Sequence, residues 1–297
     1  MENEFRQMER AALDVARTEM GQVAWGTLLL VAGLVATMGI LLAFAIDGSL
    51  PWVMAVPLLS LVYYASYTPL HEAVHRNVSG DRPGLGWLDA VAGFTAGLIV
   101  GVPYTLHRST HFAHHRHTND SDMDPDNVFQ AGRAWDVLRG SLWIVPASYV
   151  WYFRKVWQRL SGSEKRLVIA EFAAILASRL VPALLGFPME VLIFSIIPNL
   201  LGVIMTATLF AWIVHRPHDD QSRWGCTSTF DFAGTWRWPV TIAWLWQNYH
   251  SIHHLFPRVP FYRYHKVFRG IEATMMQLGA PIHRFGQPAQ PVLQESL

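Results

Sequence analysis

Four apolar runs decide what this chain can become. Trp25–Ile46 reads WGTLLLVAGLVATMGILLAFAI, with no charge before Asp47, and comparable runs occupy 51–70, 167–187 and 191–214. Each is about 20 residues, the length at which a helix crosses the hydrocarbon core of a bilayer. No water is available there to satisfy a backbone, so helices are the expected form. The runs come in two pairs, joined by 47–50 and by 186–190, and such short joints demand tight hairpins. Neither joint carries Lys or Arg. Apart from Arg179, every Lys and Arg lies in the amino-terminal segment, in 71–166 or in 215–297. That bias predicts both termini and the long connections on the cytosolic side. Only 15% of the chain is charged, against about 25% in soluble domains. The expectation is an all-α, multi-pass membrane protein: four transmembrane helices in two hairpins, interfacial helices, and a cytosolic cap.

The cap is where the histidines are. His71 and His75 stand in HEAVH, His111, His114 and His115 in HFAHH, and His250, His253 and His254 in HSIHH. Residues three or four apart share a helix face, so each cluster aims ring nitrogens at a common point. Imidazole is a good ligand for zinc, copper, iron or nickel. Eight such ligands exceed what one ion uses, which implies two metals. Zinc has no redox chemistry, and a catalytic zinc usually takes three protein ligands. A zinc-dependent lipid amidase would leave half of these histidines unexplained. A metal transporter would place its site near the bilayer midplane rather than beyond the helix ends. Eight imidazoles beneath apolar helices suit two irons that activate dioxygen against a lipid-soluble substrate.

A shared site limits the rest of the chain. The run 87–106 is also apolar, but if it crossed the bilayer it would separate the first two clusters. It is therefore expected to be interfacial or re-entrant, with Gly93, Gly97 and Gly101 permitting close packing and Pro103 turning the chain toward His107. The shorter apolar stretches 141–152 and 238–246 are expected to be peripheral. Arg179 lies deep in the third run, with Glu171 nearer its start, and is expected to snorkel to the interface, the alternative being a functional or pairing role within the membrane. Residues 1–24 carry five acidic groups and no apolar centre, so they are not read as a signal peptide. Phe5, Met8, Ala12, Val15 and Ala16 recur at helical spacing, which suggests an amphipathic helix on the membrane or, alternatively, a simple surface helix. Residues 25–297 are read as one membrane domain. The single cysteine, Cys226, excludes an internal disulfide and a cysteine-held iron–sulfur cluster.

The order of the three clusters and the paired runs between them resemble the membrane fatty acid desaturase/hydroxylase superfamily. The flanks HHRHTNDSDMDPD and NYHSIHHLFPRVPFYRY look most similar to the bacterial and cyanobacterial type of β-carotene hydroxylase. The first cluster departs from that type in reading HE rather than HD, and Ser121 stands where it often carries Pro. The resemblance implies that the eight clustered histidines hold two irons, with dioxygen as co-substrate. It also implies one more ligand near the end of the fourth span, where His218 is the first choice and His215 the other. His107 and His117 flank the second cluster and remain alternatives. Asn119, Asp120, Asp124 and Asn248 are candidates to hydrogen-bond the outer nitrogens of ligand histidines. The implied reaction is hydroxylation of a carotenoid ring or, alternatively, desaturation of a fatty acyl chain. With no dinucleotide fingerprint in the sequence, electrons are expected from a ferredoxin-like or cytochrome-type donor. Arg133, Arg139, Arg154, Lys155, Arg159, Lys165 and Arg166 offer a basic face for that donor or for lipid headgroups. No nucleic-acid partner is expected.

Overall fold

The computed structural model describes residues 2–130 and 133–286. The last stretch of the expected membrane domain, 287–297, lies outside the described residues. Four helices are long and apolar enough to cross a membrane: α2 (Trp25–Ile46), α3 (Trp52–Val74), α7 (Gly162–Leu184) and α8 (Pro188–His215). They form the two expected hairpins. Leu29, Ile40 and Phe44 on α2 and Leu176, Leu180 and Leu184 on α7 are exposed, as helices facing lipid require. The central helix is α3, which packs against α2, α8 and α4 (Gly86–Val100). It runs past the apolar stretch ending at Leu70, and its last turn carries His71 and Glu72, both buried.

The run 87–106 turns back instead of crossing straight. It contains most of α4 and the start of α5 (Tyr104–His117), and these two helices meet at 95°. Gly101 makes the bend with φ +83°, a conformation costly for any residue with a Cβ. A Cβ at Gly97 would lie 2.6 Å from the Val102 carbonyl oxygen, so the glycines admit the returning chain as well as the neighbouring α3.

Two charges on α7 secure this bend. Glu171 accepts hydrogen bonds from the backbone N–H and hydroxyl of Thr105 at 2.9 and 2.8 Å, in the first turn of α5. Arg179 donates to the carbonyls of Leu98 and Ile99, both at 2.8 Å, in the last turn of α4. Asn199 on α8 donates to the Val100 carbonyl at 2.7 Å. Arg179 therefore does not snorkel as expected. Inside a bilayer, carbonyls without a partner cost more than a short reach to one.

The cap holds the remaining elements. Helix α6 (Ala134–Lys155) contains 141–152 and is not merely peripheral, because Ile144, Val145 and Tyr149 wall an internal cavity. Helices α9 (Arg237–Ala243), α10 (His250–Leu255) and α11 (Tyr264–Gln277) follow. Two short strands that the sequence reading did not anticipate, β1 (Thr229–Phe232) and β2 (Ile282–Phe285), pair in parallel. The amphipathic helix α1 (Glu2–Arg17) turns part of its apolar face inward and leaves Phe5 exposed. It buries Ala12 and Ala16 against Val267, Phe268 and Ile271 of α11. Gly270 admits the contact, since a Cβ there would sit 2.6 Å from Val15.

Candidate metal centre

Four chain segments bring nine imidazoles together. The end of α3 supplies His71 and His75, α5 supplies His111, His114 and His115, α8 ends on His215, and α10 supplies His250, His253 and His254. One nitrogen from each of His71, His75, His111, His115 and His253 falls within 4.8 Å of all the others, and His114, His215 and His254 form a second such group. His250 completes the second group, its Nε2 standing 3.2 Å from both His215 Nε2 and His254 Nε2.

The spacings test whether metals fit. In the first group neighbouring Nε2 atoms lie 3.0 Å apart for His71–His253, 2.9 Å for His75–His111, 3.0 Å for His111–His115 and 2.7 Å for His115–His253. Metal–imidazole bonds of about 2.1 Å put two nitrogens about 3.0 Å apart at right angles and about 3.4 Å apart at the tetrahedral angle. The first group matches the right-angled arrangement, which suits an ion of more than four ligands.

Protonation suits a metal as well. Burial, reinforced by neighbouring imidazoles, pushes His75 and His250 down to about 3 and holds His253 and His254 well below the usual histidine range. These rings are neutral at ordinary pH and keep a lone pair for a cation. Several outer nitrogens have oxygen partners that turn Nε2 inward. His250 Nδ1 meets Gln247 Oε1 at 2.8 Å, His253 Nδ1 meets the Tyr264 hydroxyl at 3.1 Å, and His254 Nδ1 meets Thr118 Oγ1 at 3.4 Å. His114 Nδ1 faces both oxygens of Asp124, at 2.9 and 3.1 Å. Burial opposes charge on His114, but the Asp124 and Asp126 carboxylates outweigh it and raise its pKa to about 9.

The other expected residues take different places. His218, the first choice for an extra ligand, lies outside both groups, whereas His215 falls within the second. Helix α8 ends at His215 and the following Arg216 is extended, so the chain carries His218 away, its ring 6.2 Å from that of His215. His107 and His117 also lie outside both groups. His107 stacks on His111 at 5.4 Å, and its Nε2 is buried without a partner. Of the expected outer partners, Asp124 alone reaches a histidine with its side chain. The Asn119 backbone N–H supports Asp124 at 2.9 Å, while its amide donates to the carbonyls of Asp220 and Cys226. Asp120 caps the backbone of Asp122 and Met123. Asn248 donates to the Phe230 carbonyl. Gln247 and Tyr264 went unseen in the sequence. The spacing of Gln247, three before His250, was a usable signal, whereas Tyr264 gave none.

An apolar cavity leads away from the histidines. His71, His111, His114 and His250 line one part of it, Val102, Leu106, Val203 and Phe210 its walls, and Tyr63 and Asn199 another part. Its volume is ≈ 100 Å³. A π-helical stretch of α8, Ala207–Trp212, contributes Ala207, Phe210 and Ala211 to the lining just before His215.

A centre of nine histidines at an apolar cavity, under helices able to span a bilayer, agrees with one family comparison. The fatty acid desaturase family profile matches residues 47–286. The chain belongs to the fatty acid desaturase family. It is a membrane enzyme of the di-iron oxygenase/desaturase type. It is similar to a beta-carotene ketolase from Paracoccus sp. (strain PC1), with 27% identity over 70% of this chain and 79% of the relative. It is also similar to a Delta(9) fatty acid conjugase-like enzyme from Dimorphotheca sinuata, with 23% identity over 69% of this chain and 64% of that relative.

Proposed function

We propose that this desaturase-family enzyme hydroxylates the ring of a carotenoid, using dioxygen and two externally supplied electrons, on the cytosolic side of the membrane. The observation that carries the reading is the contact of both histidine groups with one apolar cavity between α3, α5, α6 and α8. The similarity to a beta-carotene ketolase favours a carotenoid as the occupant.

In this reading His71, His75, His111, His115 and His253 hold one iron, and His114, His215, His250 and His254 the other. When bound, the two irons supply the redox chemistry that lets dioxygen attack an unactivated C–H bond. The chain supplies the rest. Leu106, Val203 and Phe210 keep water from the reacting carbon, and the cavity walls fix which carbon reaches the histidines. Asp124, Gln247 and Tyr264 hold their histidines with Nε2 inward, so the site need not reorganise during turnover.

The similarity to a conjugase-like enzyme favours a second reading, desaturation of an acyl chain. Bacteria that accumulate β-carotene separate the two when pigments and fatty acids are profiled together by mass spectrometry. The expected result is an oxygen-bearing carotenoid with the intact chain and none with His114→Ala. Unchanged carotene beside a new acyl double bond assigns desaturation instead.

A further inference from the structure

Two polar side chains stand where the apolar cavity meets the first histidine group. Tyr67 precedes His71 by one turn of α3, and His107 precedes His111 by one turn of α5, so each shares a helix face with a histidine of that group. The Tyr67 ring lies 5.9 Å from that of His71, and the His107 ring stacks on His111 at 5.4 Å. The two rings meet edge to face at 5.3 Å and form one patch of the cavity lining. Among the described residues, neither the Tyr67 hydroxyl nor either ring nitrogen of His107 makes a hydrogen bond, and His107 Nε2 is buried.

The walls around the patch are hydrocarbon. Phe210 packs edge to face on Tyr67 at 5.0 Å, and Leu106 adjoins His107 in the lining. Asp126 also lines the cavity, but it stands 3.8 Å from His114 Nδ1 and so answers to the second histidine group. A donor kept dry among such walls costs free energy until an occupant completes its hydrogen bond. An unsubstituted hydrocarbon ring cannot do so, and neither can the methylenes of an acyl chain. For either cargo, phenylalanine and leucine would serve better at these two positions.

We infer that Tyr67 and His107 bind an oxygen atom carried by the substrate, so that the enzyme acts on a ring already bearing a hydroxyl or keto group in preference to an unsubstituted ring. The inference rests on the carotenoid reading above and narrows it. Tyr67 donates its O–H to that oxygen. His107 donates an N–H to the same oxygen or, in its other tautomer, accepts the hydrogen of a hydroxyl. Held in this way, the ring presents to the histidines a carbon close to the one that bears the oxygen. A ring without the oxygen leaves both groups unpaired and is the poorer substrate.

Carotenes oxygenated on one ring only make the two rings compete within a single molecule. One probe carries a hydroxyl and a second carries a keto group. Each is given to the detergent-solubilised, iron-loaded enzyme with ferredoxin, its reductase and NADPH, and tandem mass spectrometry shows which ring gained oxygen. The parent is expected to attack the oxygen-bearing ring about tenfold more often, or better, in at least one probe. The probe that shows the preference tells whether hydroxyl or keto oxygen is recognised. Tyr67→Phe removes one oxygen atom and His107→Phe removes both ring nitrogens. Each is expected to bring the ratio close to one, and either serves if the other fails to fold. Equal attack on both rings by the parent, or a preference for the plain ring, overturns the inference. So does a preference that both variants keep while turnover falls, which would assign the pair to the metal centre. No oxygen gained by either probe or by β-carotene, with the parent enzyme fully iron-loaded, overturns the carotenoid reading instead.

Discussion

Glu171 and Arg179, about two turns apart on α7, finish the two ends of a broken helix. The carboxylate meets the first turn of α5 and the guanidinium meets the last turn of α4. Each charge opposes the helix dipole it faces, which is the stabilising sense at both ends. The two charges that interrupt the third apolar run thus have one purpose, holding the bend that aims α5 and, among its five histidines, the three that join the metal groups.

Loss of that hold should be measurable. Arg179→Met removes the donor to Leu98 and Ile99 and leaves Asn199 as the remaining side-chain cap. The expected cost is about 1–3 kcal/mol, the penalty for buried carbonyls without partners, seen as a lower midpoint of thermal unfolding in detergent. A midpoint equal to that of the parent would show that α4 does not need this cap.

His215 and His218 make a decisive pair. His215→Ala should cut bound iron from two per chain to about one, with turnover lost, because the second group keeps three imidazoles. His218→Ala should keep both irons. Metal analysis of the two purified variants checks this, and iron loss from His218→Ala alone would reverse the assignment.

Asp124 supports its group through His114. Asp124→Asn keeps the size of the side chain but removes the charge that faces His114 Nδ1 at 2.9 Å. Metal affinity at the second group is expected to fall about 10–100-fold, the usual effect of removing an outer partner, as read by chelator competition. The first group, which Asp124 does not touch, should keep its metal.

Asn77 ties the first and third histidine clusters together. Its amide donates to Glu72 Oε1 at 3.1 Å and to the carbonyls of Pro257 and Val259 at 3.0 and 3.3 Å. Asn77→Ala should remove the donor to the Pro257 and Val259 carbonyls and leave Glu72 with Thr27 as its side-chain donor, cost about 1–3 kcal/mol, and speed iron release to a chelator. Unchanged release kinetics would mean that α3 and α10 are held together by other contacts.

Periodicity and length carried much of this fold into view. The first run, Trp25–Ile46, coincides with α2, and the three clusters converge as their i, i+3 and i, i+4 spacings imply. What the sequence concealed depends on contacts distant along the chain. Arg179 reads as an isolated charge until the carbonyls of Leu98 and Ile99 are placed beside it. His218 and His215 are equivalent in sequence until the helix is seen to stop at His215. The apolar face of α1 is as suited to a membrane as to a protein, and nothing local names α11 as its partner.

The closure of the chain on itself sets an order of assembly. A ribosome releases α1 well before α11, so the apolar stripe through Ala12 and Ala16 must wait until α11 has been made before it finds Val267 and Phe268. Five histidines of the first two clusters likewise wait for His250, His253 and His254. A nascent chain halted before residue 250 has threaded every span yet holds neither histidine group complete. Metal loading on this plan is a step that follows synthesis of α10, and it reports that all three clusters have been made.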